Sequence, residues 1–398
     1  RKYDVVVWGA TGFTGERLVE YLALSANAGT RVALGGRSQT KLEDVRSRLA
    51  AKHPNAANSI GDMDILVGNS TDASKLRQIA ALTKVVASTV GPYNLHGSQL
   101  VRACVEEKTD YCDITGEVPW VKQMHRELND QAVSSNVHIA SMCGFDCIPA
   151  DLGCLMLANY AREELHEPLV HVKGSIVGIK GGVSGGTLAS AVDVMGVEVR
   201  SFWDRLWPSP SPRPSETDKT RYTAGFRVKK HGIIHYDYIL GSWQTFWVMS
   251  MINSEVVRWA GKVLGYGPNF SYSESMSAHN IFHATAVAIG LVYGALLMFF
   301  SFTRSILLLL KIVPSPGEGP SEAFIKTGFF SLHMEGFTDT GATVYGKVSG
   351  STDPGYGETI KYLGESALCL AFDRSADFKP GIYPPSVIMG QALLARLR

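Results

Sequence analysis

Hydrophobic and polar positions in the first third of the chain alternate between short apolar runs and longer amphipathic stretches. The short runs are rich in β-branched residues, which is typical of strands buried on both faces of a sheet. The longer stretches, such as Leu42–Ala51 and Ser98–Glu107, have helical periodicity. This alternation predicts strand–helix–strand crossovers and a doubly wound parallel sheet. The predicted strands are Tyr3–Val7, Arg31–Leu34, Asp64–Val67, Lys84–Thr89, Tyr111–Ile114 and Val137–Ser141.

A glycine-rich stretch, WGATGFTGERL (8–18), joins the first predicted strand to the first helix. In this setting the first glycine permits a tight turn, the second lets a pyrophosphate approach, and the third lets helix and strand pack closely. The helix N-terminus would present unpaired N–H groups to the anion. A plain strand–turn–helix connection is the alternative, and the position at the start of the first βαβ unit favours a dinucleotide site. The predicted cofactor contacts are Gly9, Thr11, Gly12, Phe13, Thr14 and Gly15.

The end of the second predicted strand indicates which dinucleotide binds. An NAD site usually has a carboxylate here, which bonds the ribose 2′-hydroxyl. This chain has Gly35-Gly36-Arg37-Ser38 instead, followed by Lys41. A guanidinium holds a 2′-phosphate bidentately, so we predict NADP(H), with Arg37, Ser38 and Lys41 as contacts. The alternative is that Arg37 and Lys41 are ordinary solvated residues at a helix start.

Two loops follow later strands of the predicted sheet, TVGPYNLHG (89–97) and DITGEVPW (113–120). Ligands of such sheets bind beyond the carboxyl ends of the strands. Gly91-Pro92 predicts a rigid turn against which a nicotinamide ring could lie, although a simple connecting loop is the alternative. The cofactor contacts predicted in the first loop are Val90, Gly91, Pro92 and Tyr93.

Composition and charge exclude several other classes of protein. The chain has 398 residues, a length typical of two or three domains. Its net charge is +1 and it has no basic block, so we expect no nucleic-acid partner. Six cysteines occur without a C-x-x-C pair or a nearby histidine cluster. Free thiols in a reducing compartment are the expectation, and no metal site is predicted.

The pattern changes after SMCGFDCIPADLG (141–153), where Asp146 is predicted to cap a helix starting near Pro149. Long apolar stretches then mix with further strands. VSGGTLASAVDVM (183–195) predicts a glycine turn into a helix, and the Pro/Ser-rich stretch 207–219 predicts an exposed loop. The predicted strands of this part are Val170–Ile179, Ala224–Lys229 and Ile233–Ile239.

The segment ATAVAIGLVYGALLMFFSFT (284–303) has no charged residue. A helix of that length would measure about 30 Å, the thickness of a bilayer's hydrocarbon core. Several tryptophans precede it, and tryptophan is favoured at membrane interfaces. We expect residues 281–313 to associate with a membrane or lipid-droplet surface, and a buried core helix is the alternative.

Several blocks together resemble the saccharopine dehydrogenase-like oxidoreductase family, which includes the trans-acting enoyl reductases. The resemblance implies a Rossmann domain followed by a second α/β domain with a mostly antiparallel sheet, and C-terminal helices that pack back on the Rossmann side. It implies domains at 1–148, 149–352 and 353–398. Two departures are Cys147, where the family more often has Ser, and Leu95-His96, where an aromatic residue commonly precedes the glycine. The matching blocks are GATGFTG with GGRSQTKL, GPY…HGSQLVRAC, DYCDITGE, CGFDCIPADLG, GGVSGGTLAS, PSPGEGPSEA, DPGYGETIKYLGESALCLAFD and PPSVIMGQALLARL.

This implied fold limits how residues 284–303 can meet a membrane. A single crossing would leave residues 314–398 on the opposite side of the bilayer from residues 1–150, and the two parts could not complete one fold. We therefore predict a monotopic, re-entrant or shallow insertion, or burial in a groove, rather than a single crossing.

Hydride transfer from NADPH also requires a group that protonates the reduced substrate. No Tyr-x-x-x-Lys pair occurs in the chain, which removes the short-chain dehydrogenase mechanism. The candidates beside the cofactor loops are Tyr93, His96, Asp113 and Glu117. Each has a structural alternative: Tyr93 could form a pocket wall, and Asp113 could cap a turn.

The apolar, aromatic second domain favours a hydrophobic, lipid-like substrate over an amino-acid conjugate. We therefore expect an NADPH-dependent oxidoreductase that is intracellular and membrane-associated, at the mitochondrion or at the surface of lipid droplets or the endoplasmic reticulum. The alternative is a catalytically inactive Rossmann-fold protein that serves as a structural subunit at a membrane or lipid droplet. Association with a second copy, forming a homodimer, or with a membrane complex is left open.

Overall fold

The computed structural model describes residues 1–27, 29–182, 233–310 and 319–398. These residues form two sheets, one parallel and one mixed, with helices packed on them. Three predicted elements, 183–195, 207–219 and Ala224–Lys229, lie outside the described residues.

The first sheet contains seven parallel strands: β1 Tyr3–Trp8, β2 Val32–Gly36, β3 Asp64–Val67, β4 Thr83–Ser88, β5 Asp110–Asp113, β6 His138–Ala140 and β13 Gly381–Tyr383. Their order in the sheet is β13-β6-β5-β4-β1-β2-β3. Strand β1 lies between β2 and β4, and all six of its residues are buried. This confirms the predicted doubly wound sheet, and the six predicted strands end within two residues of the observed ones.

Helices cover both faces of this sheet, and a side chain caps the N-terminus of two of them. Ser38 accepts a hydrogen bond from the backbone of Lys41, and Asp72 accepts one from Lys75. The predicted cap at Asp146 is wrong: the helix begins one residue later than a cap there would require, after Cys147, and no side chain caps it. The helices are α1 Phe13–Ser25, α2 Gln39–Lys52, α3 Ala57–Gly61, α4 Ala73–Leu82, α5 Tyr93–His96, α6 Ser98–Glu106, α7 Val118–Ser134 and α8 Ile148–Tyr160.

The second sheet has the order β12-β11-β7-β10-β9-β8 in the described part of the chain. Its pairings are antiparallel except for the parallel pair β7–β10, so the sheet is mixed. Its inner face packs on α8, where a Cβ atom at Gly153 would lie 2.4 Å from the sulfur of Met334. The strands are β7 Leu169–Lys180, β8 His235–Asp237, β9 Ser242–Phe246, β10 Ser271–Ala278, β11 Phe329–Thr338 and β12 Thr343–Gly350.

The C-terminal part of the chain returns to the first sheet. A Cβ atom at Gly364 would lie 2.5 Å from the Tyr21 ring, and the Tyr21 hydroxyl donates a 2.7 Å hydrogen bond to Glu365. One strand was not predicted: β13, Gly381–Tyr383, pairs with β6 and is the seventh strand of the sheet. Its three residues are too few to show a hydrophobic period. The remaining α-helices are α9 Ser250–Leu264, α10 Ile281–Phe299, α11 Ser301–Leu309, α12 Glu322–Lys326, α13 Thr359–Phe372, α14 Pro385–Ile388 and α15 Gly390–Leu397.

The long apolar segment forms two helices, α10 and α11, instead of one. The helical pattern is interrupted at Phe300, where the Thr303 hydroxyl donates hydrogen bonds to the carbonyls of Leu297 and Phe300. The start of α10 is held against the second sheet, because the Thr245 hydroxyl donates a 3.1 Å hydrogen bond to the carbonyl of buried Ala284. Within the described residues, no helix combines the length and the apolar character needed to cross a bilayer.

Candidate dinucleotide site and adjoining cavity

The glycine-rich loop between β1 and α1 leaves no room for side chains at two positions. Gly9 has φ +94°, a left-handed conformation that favours glycine, and a Cβ atom there would lie 2.6 Å from Val90 Cγ2. A Cβ atom at Gly15 would lie 2.1 Å from the Gly9 carbonyl oxygen. Helix α1 therefore packs directly on the backbone of the loop. The Gly12 N–H donates a 2.9 Å hydrogen bond to Gly9, which closes the turn.

The N-terminus of α1 is open to a ligand. Gly12 occupies the N-cap position, and no side chain caps the helix. Thr11 is exposed, while Phe13 and Thr14 are half-buried. Backbone N–H groups of an uncapped first turn bind phosphate oxygens well, because the helix dipole favours an anion at this end.

The end of β2 presents a guanidinium beside this loop. Gly35 lies against Trp8, since a Cβ atom there would be 2.7 Å from the indole ring. Arg37 and Lys41 are exposed, and Arg37 forms no hydrogen bond or ion pair within the described residues. The Ser38 hydroxyl accepts a 3.4 Å hydrogen bond from the backbone of Lys41, so it also caps α2. Arg37 is therefore available to an anion.

The loop after β4 borders the same crevice. Val90 and Pro92 are half-buried, Gly91 is exposed, and the Gly91–Pro92 peptide bond is cis. Tyr93 is buried, and its hydroxyl donates a 3.1 Å hydrogen bond to the Ser88 carbonyl. This contact holds the buried Tyr93 ring in place beside the loop, as a structural residue would be held.

Glu117 and Asp113, two of the candidate proton donors, hold backbone in place. The Glu117 carboxylate accepts hydrogen bonds of 2.8 Å from the N–H groups of Tyr93 and Asn94. Asp113 Oδ1 accepts from the N–H groups of Thr115 and Met142, and thereby ties together the loops after β5 and β6. Burial raises the pKa of Asp113 to about 6.

His96, the remaining candidate, is exposed at the end of α5. Tyr93, Asp113 and Glu117 thus lie together around the loops that follow β4 and β5, while His96 lies on the surface. For the three buried residues, the observed contacts favour the structural alternatives.

A cavity lies between the exit loop, residues 141–147 after β6, and the inner face of the second sheet. Two carboxyl groups and one amide line it: Asp146 from the exit loop, Asn253 from α9 and Glu274 from β10. The empty space is about 210 Å³, part of it open to solvent. Apolar side chains complete the lining, namely Phe145, Pro149, Ala150, Ile176, Trp247 and Leu332.

Asn253 orients one of these carboxyl groups. Its Nδ2 donates a 2.8 Å hydrogen bond to Glu274 Oε2. Burial raises the pKa of Glu274 to about 7, although the bond from Asn253 opposes this shift. Asp146 forms no hydrogen bond within the described residues, and burial raises its pKa to about 6. Both groups therefore hold a proton more readily than exposed carboxyl groups do.

The cavity adjoins the carboxyl ends of β5 and β6. A Cβ atom at Gly144, just before the cavity, would lie 3.5 Å from Ile114, which follows β5. A Cβ atom at Gly116 would lie 3.4 Å from Ile252, the neighbour of Asn253 on α9. The cavity is thus at the edge of the sheet where ligands of doubly wound folds bind.

Sequence reasoning missed the cavity, because its polar residues come from three distant parts of the chain. One signal was readable: SYSESMSA (271–278) alternates serine with other residues, as a strand does. This period places Glu274 on the same face as Tyr272 and Met276. A carboxyl group on an otherwise apolar strand face is a candidate functional group.

The arrangement defines a class of protein: a dinucleotide-dependent oxidoreductase with a second domain beside the cofactor domain. The glycine cradle, the uncapped helix and the exposed Arg37 fit the pyrophosphate and the 2′-phosphate of NADP(H).

Comparisons with known proteins identify the family. The family model of the saccharopine dehydrogenase NADP-binding domain matches residues 5–139. One relative, from Mycobacterium tuberculosis, is provisionally named a trans-acting enoyl reductase. It is 34% identical to this chain over 422 residues, and the match covers 100% of this chain and 96% of the relative. A trans-acting enoyl reductase of Mycobacterium bovis is 31% identical over 414 residues, with the same coverage. The chain belongs to the saccharopine dehydrogenase-like family of NADP-dependent oxidoreductases, and its first domain binds NADP(H).

Among solved structures, apo saccharopine dehydrogenase (L-Glu forming) from Saccharomyces cerevisiae has the same fold. Its TM-score is 0.53 at 13% identity, and the match covers 99% of this chain and 96% of that one. At this identity the likeness concerns the fold alone.

Proposed function

We propose that this chain is an NADPH-dependent enoyl reductase that acts on a hydrophobic, lipid-like substrate at a membrane surface. The observation that carries the proposal is that the uncapped glycine loop and a largely apolar cavity with protonatable carboxyl groups lie at the same edge of the first sheet, where its strands end. The names of the relatives support reduction of a carbon–carbon double bond.

The cofactor-binding role of the loop residues is part of this proposal. Backbone N–H groups of Thr11, Phe13, Thr14 and Gly15 would bind the pyrophosphate, and Arg37, with Lys41 beside it, would bind the 2′-phosphate. Residues 90–93 would border the nicotinamide. NADPH supplies the hydride; the protein orients the substrate, excludes water and delivers a proton.

The exposed apolar surface of α10 and α11 supports action at a membrane. Phe282, Ile289, Tyr293 and Leu297 are exposed at helical spacing along one side of α10. Phe302 and Leu309 of α11 are 75% and 81% exposed. Single exposed apolar residues are ordinary, but a stripe of them along α10, with further exposed apolar side chains on α11, is typical of an interaction surface. We infer shallow insertion into the lipid interface, because these side chains can be buried there without a helix that spans the bilayer.

The substrate class is tested by following NADPH oxidation with 2-enoyl thioesters of increasing chain length. The proposal predicts turnover that rises with chain length and requires NADPH. NADPH binding without turnover of any enoyl or other lipid substrate would instead favour the catalytically inactive, structural alternative.

Membrane binding is tested by flotation with anionic phospholipid vesicles. A triple variant that combines Phe282→Asp, Phe302→Asp and Leu309→Asp should not float with the vesicles, because three charges oppose burial in lipid. The control is Leu24→Asp on α1, where the side chain is 50% exposed but lies outside the stripe. Equal flotation of the triple variant and the wild type would refute the membrane role.

A further inference from the structure

We propose that the carboxyl group of Glu274 is the proton donor of the reduction and that the Asn253 amide positions it. The inference rests on the proposed enoyl reductase function and assigns the step that the residues beside the cofactor loops do not explain. It places the reacting end of the substrate at the open side of the cavity between the exit loop and the second sheet.

The position of Glu274 on the sheet is unfavourable unless the group has a use. Glu274 lies on the inner face of β10, between Tyr272 and Met276, and its partner across the parallel pairing is Gly174. A Cβ atom at Gly174 would lie 3.4 Å from Glu274 Cγ and 2.7 Å from the Tyr272 hydroxyl, so a larger residue there would crowd the carboxyl side chain. Burying a carboxyl group among apolar side chains costs stability that a hydrophobic residue would not.

A second observation points to a ligand in the cavity. Asn253 is 3% exposed, and its Oδ1 has no hydrogen-bond partner within the described residues. Its Nδ2 is already committed to Glu274. A buried amide oxygen normally has a partner, since leaving it unpaired costs about 1–3 kcal/mol. A polar group of the substrate, or a water that accompanies it, would satisfy this atom.

The size and lining of the cavity indicate what enters it. Its 210 Å³ includes space that is open to solvent, and the enclosed part has room for about one water. The reacting end of a long substrate would therefore meet Glu274 from the open side of the cavity, with the chain outside. Phe145, Trp247 and Leu332 provide flat and apolar contacts, which suit a conjugated double bond.

The step transfers a hydride to one carbon of the double bond and a proton to the other. The β carbon of the conjugated double bond receives a hydride from NADPH, which leaves as NADP⁺. The electron pair of the double bond moves to the α carbon, which takes the proton of the Glu274 carboxyl group. A new C–H bond forms at each carbon, the O–H bond of Glu274 breaks, and Glu274 becomes a carboxylate that regains its proton from water. One hydride and one proton are thus added across the double bond.

Several titratable groups surround Glu274 and bear on its pH dependence. Tyr272 shares its strand; Asp146, Cys147 and Cys154 approach from the exit loop and α8. The cavity residues from α9, β7 and β11 are Asn253, Ile176 and Leu332, which do not titrate. Asp146 is the second carboxyl group of the cavity, so its variant must be compared with that of Glu274.

The experiment compares Glu274→Gln, Asp146→Asn and Glu335→Gln. Glu335 is also buried in the second sheet, but its neighbours place it on the opposite face, beside Lys173. Glu274→Gln should lower kcat by roughly 100- to 10,000-fold, the usual contribution of a general acid. Its NADPH affinity should stay unchanged. Wild-type kcat should fall as pH rises through about 7, and this dependence should be absent from Glu274→Gln.

Infrared spectroscopy gives a readout independent of turnover. A band from a protonated carboxyl group should disappear as pH rises through about 7 in the wild type, and it should be missing from Glu274→Gln but present in Glu335→Gln. A kcat of Glu274→Gln equal to that of the wild type overturns the inference. A larger loss of kcat in Asp146→Asn than in Glu274→Gln also overturns it. Both outcomes leave the reductase function intact. Absence of wild-type turnover on every enoyl substrate overturns the proposed function and the proton-donor role together.

Discussion

Replacing Gly15 by Ala tests how closely α1 must approach the glycine loop. The added Cβ atom would lie 2.1 Å from the Gly9 carbonyl oxygen and 2.7 Å from its carbon, whereas ordinary van der Waals contact begins near 3.4 Å. The helix must therefore move by more than an ångström. Alanine favours a helix by about 1 kcal/mol over glycine, but this gain cannot offset a clash of the new Cβ atom with the Gly9 carbonyl group.

The displacement moves the first-turn N–H groups away from the pyrophosphate. Losing one hydrogen bond to a charged group costs about 1.5–3 kcal/mol, which is roughly ten- to a hundredfold in Kd. Titration of NADPH by nicotinamide fluorescence measures this loss. The control is Gly61→Ala at the end of α3, where a Cβ atom would meet nothing within 4 Å, so its NADPH affinity should equal that of the wild type. Wild-type affinity in a folded Gly15→Ala protein would refute the reasoning.

Two further predictions concern carboxyl groups that hold the first domain together. Asp4 is 3% exposed and binds Arg31 and Lys84, which hold its pKa well below its usual range, so Asp4→Asn should lower the free energy of unfolding by about 1.5–3 kcal/mol. A lowered folded-state pKa contributes stability above the unfolded pKa of 3.8. In urea titrations, the difference in the free energy of unfolding between the wild type and Asp4→Asn should therefore shrink as pH falls below 3.8. A difference that stays constant with pH would contradict this prediction. Glu117→Gln leaves one oxygen for the two N–H groups of Tyr93 and Asn94, so the melting temperature should fall. The kcat should stay within about tenfold of the wild-type value, which corresponds to about 1.4 kcal/mol. Abolished turnover at an unchanged melting temperature would instead make Glu117 catalytic.

The first sheet was predictable because its strands are short apolar runs separated by amphipathic helices. Val5, Val6 and Val7 are fully buried, and a strand buried on both faces needs no alternation to be recognised. The glycine loop was predictable for a related reason: the close approach of Gly15 to Gly9 excludes every other residue type.

The C-terminal strand and the cavity could not be predicted in the same way. Strand β13 has three residues, and it is a strand only because β6 provides an edge for it. Asp146, Asn253 and Glu274 meet because two sheets pack together, a contact over long sequence separation that no local pattern specifies. The break at Phe300 between α10 and α11 likewise has no glycine or proline to mark it.

The central claim is that Arg37 makes the first domain specific for the 2′-phosphate of NADPH. Isothermal titration of NADPH and NADH into the wild type and Arg37→Asp tests it most directly, with Arg126→Asp on α7 as a variant of equal charge change at an exposed site away from the loop. The account predicts that Arg37→Asp weakens NADPH binding by roughly ten- to a hundredfold and leaves NADH binding no weaker, while Arg126→Asp changes neither. Unchanged NADPH affinity in Arg37→Asp would contradict it.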